Sequence, residues 1–122
     1  MTMAAPEANR ATTGATVRAV DSHAHVLRRD APLVSERHSV PKRDATADEF
    51  IALQDAHGVS HALLTAPSFY GPDNSLLLEA LDAYPLRLRG TVIVHPDIGG
   101  EPLARLRRRG VVGIRLDRKS VV

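Results

Sequence analysis

The chain has 122 residues, the length of one ordinary domain. It is 43% hydrophobic and 25% charged. It lacks the run of about 20 apolar residues that a membrane-spanning helix needs, and most of its length is too apolar for a disordered chain. There is no cysteine, which removes disulfides, thiolate metal sites and cysteine nucleophiles. The net charge of +2, from 16 basic and 14 acidic residues, is too small for a phosphate-binding face, and two Phe and two Tyr without Trp make no stacking platform. No nucleic-acid or membrane partner is therefore expected. The first twenty residues hold no apolar signal core, so a cytoplasmic location is expected.

Residues 1–16 are polar, rich in Ala and Thr and without periodicity, and predict a disordered tail. Val17 to Val26 reads as a strand running into a loop. Leu27 to Ala45, charged and carrying Pro32 and Pro41, reads as a long connection. Thr46-Ala-Asp-Glu49 is a capping box that starts a helix through Phe50, Ile51 and Leu53, closed by Gly58. Val59 to Thr65 predicts a second strand, stopped by Pro67. Asp73 is a credible N-cap for a helix carrying Leu76, Leu77, Ala80, Leu81 and Tyr84 on one face, ended by Pro85. Gly90 to His95 predicts a third strand. Pro102 suits the first position of a short helix with Leu103 and Leu106, closed by Gly110. Val111 to Leu116 predicts a fourth strand. Strand and helix alternate, and the strands are continuous apolar runs, as parallel strands covered on both faces require.

Asp21-Ser-His-Ala-His25 is the stretch richest in chemistry. Strict alternation on a strand would point Asp21, His23 and His25 the same way. Two imidazoles on one face can share a cation or flank a substrate, or they can simply finish a strand in solvent. Ser68, Tyr70 and Asn74 follow the second strand and offer hydroxyl and amide donors to an anionic substrate, although Gly, Pro, Asp and Asn here are also ordinary turn chemistry. Arg115 lies in an apolar run, where a guanidinium is costly unless paired or hydrogen-bonded. It could clamp a carboxylate or pair with Asp21 on a neighbouring strand. His95 reads as a capped core histidine. Arg105, Arg107, Arg108 and Arg109 read as a solvated helix face.

These segments resemble a known family. Val-Asp-Ser-His-Ala-His-Val at 20–26, Asp-Ala-His-Gly-Val-Ser-His at 55–61, Ala-Pro-Ser-Phe-Tyr-Gly-Pro-Asp-Asn at 66–74, Arg-Gly-Thr-Val at 89–92 and Gly-Val-Val-Gly-Ile-Arg-Leu at 110–116 are similar to the N-terminal part of the second amidohydrolase branch, metal-dependent hydrolases with a (β/α)8 barrel. Together they look most like the 2-pyrone-4,6-dicarboxylate lactonase-like group. The resemblance implies an α/β fold, the N-terminal half of such a barrel, with about four parallel strands and three helices over residues 17–116. It implies that His23 and His25 are active-site histidines that ligate a divalent metal (Zn or Mn). In lactonase-like members that need no tightly held metal, they polarise the lactone carbonyl. It places Ser68 and Arg115, with Tyr70 and Asn74 beside them, on a small carboxylated substrate. Where the group tends to carry a Tyr in its first loop, this chain has His38 or Ser39.

A (β/α)8 barrel takes about 250 residues. The last six, Asp117-Arg-Lys-Ser-Val-Val122, look like the translation of a sequencing-library adapter, so residues 117–122 are expected to be non-native and the chain a fragment. The function expected for the full-length protein is hydrolysis of the C–O ester bond of a carboxylated lactone in aromatic-compound catabolism. The alternatives are a metal-dependent decarboxylase of the same branch and a non-catalytic half-barrel. The 122-residue chain itself is expected to be inactive and to self-associate through open sheet edges.

Overall fold

The computed structural model describes residues 16–35 and 43–116. The two tails expected at 1–16 and 117–122 (apart from Thr16) lie outside the described residues, as do His38 and Ser39. In chain order the elements are β1 (Val20–Ala24), α1 (Ala47–Ala56), β2 (His61–Thr65), a 3-10 turn (Ser68–Tyr70), α2 (Ser75–Ala83), β3 (Leu88–Ile93), α3 (Gly100–Arg108) and β4 (Val111–Arg115). The strands form one parallel sheet in the order β1-β2-β3-β4. This is the alternating βα architecture the apolar runs predict.

Helices α1 and α2 start where nearby side chains satisfy free first-turn amides. Thr46 Oγ1 accepts from Glu49 N at 3.2 Å while Glu49 Oε1 accepts from Thr46 N at 3.3 Å, which is the expected capping box. Gly58 then turns the chain with φ +71°, a region that side-chain-bearing residues avoid. In α2 the N-cap position falls on Asn74, one residue later than expected. Asp73 still serves the first turn, accepting from Ser75 N at 3.1 Å and from Ser75 Oγ at 2.7 Å. Those bonds hold its carboxyl below the usual aspartate range. Pro102 sits at the third position of α3, behind Gly99 and Gly100, where its missing N–H is still one that no helical carbonyl would meet.

One face of the sheet is covered by helices. Ala62, Leu64, Leu88 and Val92 pack against Ile51 of α1 and Leu77, Ala80 and Leu81 of α2, all nearly inaccessible. Burial of each large aliphatic side chain contributes about 1.5–3 kcal/mol. Contact between α2 and β3 is so close that a Cβ on Gly90 would come within 2.7 Å of Leu77 Cδ2. The opposite face carries the alternate residues Leu63, Thr65 and Thr91 and borders an open cavity. Strand β3 begins at Leu88, two residues before expectation, because Arg87 is buried rather than looped out. Its guanidinium donates to Ser60 O at 2.9 Å and meets Asp55 Oδ1 at 2.7 Å.

The long connection after β1 is tied down at both ends. Leu27 and Ala45 exchange backbone bonds of 2.8 and 2.9 Å. Tyr70, buried in the 3-10 turn, donates its hydroxyl to Arg28 O at 2.8 Å and accepts from Arg28 N at 2.9 Å. The outer strands β1 and β4 each leave one edge unpaired. Near those edges Val17, Val20, Val112, Ile114 and Leu116 are 47–65% exposed.

Two consequences are measurable by chemical denaturation. Tyr70→Phe removes both partners of the Arg28 peptide groups and should cost about 1–3 kcal/mol; an unchanged midpoint would show that the tie is dispensable. Because the Asp73 pKa is lowered on folding, its contribution is full above the ordinary aspartate range and fades as pH falls through the lowered value. Asp73→Asn should therefore be less stable than wild type at pH 7, with the gap closing on acidification.

Candidate active site

The site is assembled at the C-terminal ends of the strands, the edge where βα folds place their chemistry. Its first element depends on an irregularity in β1. Asp21 pairs with Ala62 and Ala24 with Leu64, so three residues of β1 advance against two of β2. Asp21 Oδ1 accepts from His23 N at 3.1 Å, an aspartate bonding the backbone two residues on. The extra residue leaves Asp21 on the helix-covered side with Ala62 and turns His23 and His25 onto the cavity side. The expected grouping of Asp21 with the two histidines is thus corrected, since strict alternation does not hold across the bulge. The two imidazoles themselves are together, with ring centroids 5.0 Å apart and planes at 88°.

The open cavity beside them has a volume of about 840 Å³, and Ser68, Thr65, Thr91 and Arg115 also line it. His25 Nδ1 lies 2.6 Å from Thr65 O. A carbonyl can only accept, so Nδ1 is the donor of this bond, and Nε2 is the ring nitrogen not engaged in it. Arg115 Nη1 donates to the next carbonyl, Ala66 O, at 2.8 Å. Among the described residues it meets no carboxylate, and the expected alternative of a pair with Asp21 is not formed. Its other N–H groups bond no group among the described residues. Ser68 Oγ has no hydrogen-bond partner among the described residues.

Other candidates are placed elsewhere. The Tyr70 hydroxyl is consumed by Arg28, and Asn74 clamps β3, with Nδ2 donating to Ile93 O at 2.7 Å and Oδ1 accepting from Ile93 N at 3.2 Å. Neither lines the cavity. Their polar groups satisfy backbone atoms that turn and strand ends leave open. His95 is 74% exposed and beside Asp97 rather than in the core, because the chain leaves β3 before reaching it. Arg105 and Arg108 flank Glu101, and Arg109 pairs with Asp82 at 2.6 Å. Not anticipated from the sequence are the carbonyls of Thr65 and Ala66, which a motif search does not see, and the hydroxyl of Thr91.

For a divalent ion, His23 and His25 provide two imidazoles on one wall. His25 shows the pattern of a ligating histidine, one nitrogen bonded to a carbonyl and the other bonded to no group among the described residues. The donor set fits two ligand positions. Among the described residues no group of three His, Asp or Glu side chains is gathered around one point.

Comparison with known proteins agrees with this arrangement. The amidohydrolase family model matches residues 20–120. The chain is 28% identical over 96 residues to a 4-sulfomuconolactone hydrolase of Hydrogenophaga intermedia, an alignment covering 78% of this chain and 32% of that protein. Among solved structures, it superposes with a TM-score of 0.78 and 35% identity on a protein of Acinetobacter baumannii described as a probable 2-pyrone-4,6-dicarboxylic acid hydrolase, with citric acid bound. That match covers 80% of this chain and 37% of the other. A provisionally named 2-pyrone-4,6-dicarboxylic acid hydrolase of Pseudomonas putida gives a TM-score of 0.74 at 43% identity, covering 82% and 37%. The chain thus spans about a third of the length of the relatives it matches. The family model extends over all four strands and includes both histidines and Arg115, and the chain belongs to the amidohydrolase family.

Proposed function

We propose that this chain supplies the N-terminal strands of a hydrolase that opens a carboxylated lactone by breaking its ring C–O ester bond. The observation that carries the proposal is the pair of anchors at the end of β2. Successive carbonyls, Thr65 O and Ala66 O, hold His25 and Arg115 on one cavity. On the same cavity, a guanidinium with one bond and a hydroxyl with none among the described residues suit a carboxylate. The names of the relatives, a sulfonated muconolactone and a pyrone dicarboxylate, describe anionic lactones of this kind.

In the proposed reaction Arg115 and Ser68 bind the carboxylate and so fix the lactone carbonyl near the histidines. Water adds to the carbonyl carbon, the ring C–O bond breaks, and the water proton ends on the departing oxygen. With Nδ1 donating to Thr65 O, Nε2 of His25 is the nitrogen assigned to take a proton or ligate a cation. Polarisation of the carbonyl falls to His23, whose ring nitrogens bind no protein group among the described residues. His23 and His25 would hold a divalent metal if one is used, and its contribution would be acidification of a coordinated water. The catalytic groups beyond these strands belong to later βα units of the barrel.

No helix among the described residues is long and apolar enough to cross a membrane. The cysteine-free composition supports a cytoplasmic site of action. The exposed apolar residues at β1 and β4 support self-association of the 122-residue chain, and it is proposed to be inactive alone. Sedimentation should show mass rising with concentration; a monomer at all concentrations would contradict the self-association.

The catalytic proposal is tested by joining residues 1–116 to the remaining βα units of the Pseudomonas putida relative and following ring opening of 2-pyrone-4,6-dicarboxylate by its ultraviolet absorbance. Turnover should appear and fall at least about 100-fold in His25→Ala and Arg115→Met, with the fold kept by circular dichroism even though loss of a donor to Thr65 O or Ala66 O lowers the melting temperature. A folded chimera without turnover, or variants that keep it, would overturn the assignment.

A further inference from the structure

Thr91 lies in the middle of β3 on the cavity face, yet the fold does not use its hydroxyl. Its backbone is fixed: Ala66 N donates to Thr91 O at 2.9 Å, and Ala66 O accepts from Arg115 at 2.8 Å. One residue just past β2 therefore holds both Thr91 and Arg115. In the register of β3 with β4, Thr91 stands opposite Gly113 and Ile93 opposite Arg115, so Thr91, Gly113 and Arg115 share a face. Both Thr91 and Arg115 line the cavity with Ser68 and His25. The Thr91 hydroxyl has no partner among the described residues.

Gly113 explains where that hydroxyl can sit. A Cβ at this position would come to 2.9 Å from Thr91 Oγ1 and 3.5 Å from Thr91 Cγ2. The first distance is shorter than a carbon and an oxygen tolerate, so any larger residue would force Thr91 to rotate about χ1. The backbone of Gly113 has no need of glycine, since its φ is not positive. What the missing side chain provides is a notch on the β4 side of Thr91, two residues before Arg115.

We propose that Thr91 is a specificity-determining residue of the site. Its hydroxyl, seated in the notch left by Gly113, donates to an oxygen of the same substrate carboxylate that Arg115 binds. A threonine backed by glycine offers a short neutral donor at a fixed point, so it selects a planar carboxylate held close to the sheet over a bulkier anion. This inference rests on the carboxylate-binding role of Arg115 proposed above and names a second donor for it.

Citrate, the tricarboxylate held by the Acinetobacter relative, serves as a non-hydrolysable probe. It is titrated into the complete 122-residue chain by calorimetry, with thermal unfolding recorded for every variant. Wild type should bind, and Thr91→Val, which keeps the shape and loses the hydroxyl, should bind about 10-fold more weakly, the scale of a lost hydrogen bond to a charged group. Thr91→Ser should restore binding to within about twofold of wild type, because the donor returns. Gly113→Ala should weaken binding as Thr91→Val does. Should it unfold, the two Thr91 variants decide the matter alone. Thr91→Val binding as tightly as wild type, while Arg115→Met does not bind, would overturn this inference and leave the Arg115 assignment standing. Absence of binding by wild type, or full binding by Arg115→Met, would overturn both.

Discussion

The end of β2 is the constraint on which the site depends. After Thr65 the chain leaves the sheet at Pro67, so the carbonyls of Thr65 and Ala66 are freed from regular ladder pairing. Buried carbonyls seek donors, and the chain at the ends of two other strands provides them. His25 comes from just past β1, and Arg115 reaches from β4, with β3 lying between it and β2. Satisfying two backbone acceptors thus brings an imidazole and a guanidinium to one cavity in fixed orientation. The polarity of the pairing also sets their chemistry. A carbonyl partner makes Nδ1 of His25 the protonated nitrogen, and a single carbonyl uses only part of the Arg115 donor fork.

A second group of polar residues builds the frame instead. Tyr70 staples Arg28, Asn74 clamps Ile93, and Arg87 bonds Ser60 while meeting Asp55 at the opposite end of the strands. Ser60 Oγ accepts from Arg18 N at 2.8 Å and Ala19 N at 3.2 Å, which fixes the start of β1 against β2. Each bond satisfies a backbone group that a turn or strand end would leave open. The division is spatial: the braces bond mainly backbone groups, whereas His23, Ser68, Thr91 and Arg115 line the cavity.

Much of this was legible from residue order. The apolar runs predict four strands, the Thr46–Glu49 box starts α1 as expected, and the histidine pair at a strand end marks the cavity. Arg115 is conspicuous because a guanidinium in Val111–Leu116 needs a partner. What escaped the sequence depends on register and on backbone. The β1 bulge follows from one side-chain bond, Asp21 to His23 N, and it reverses the face assigned to Asp21. Tyr70 and Asn74 look like donors for a substrate because composition does not show that nearby peptide groups claim them first. Arg87 is not marked by the sequence because its partners, Ser60 O and the half-exposed Asp55 carboxylate, come from 27 and 32 positions away in the chain. Thr91 became visible only when Gly113 was found opposite it.

The most direct test of the central claim is a crystal structure of the chain soaked with 2-pyrone-4,6-dicarboxylate. The account predicts a carboxylate within hydrogen-bond distance of the Arg115 guanidinium, with His25 still bonded through Nδ1 to Thr65 O and its Nε2 turned to the lactone. A ligand bound away from the strand ends, or a His25 ring that has left Thr65 O, would contradict it.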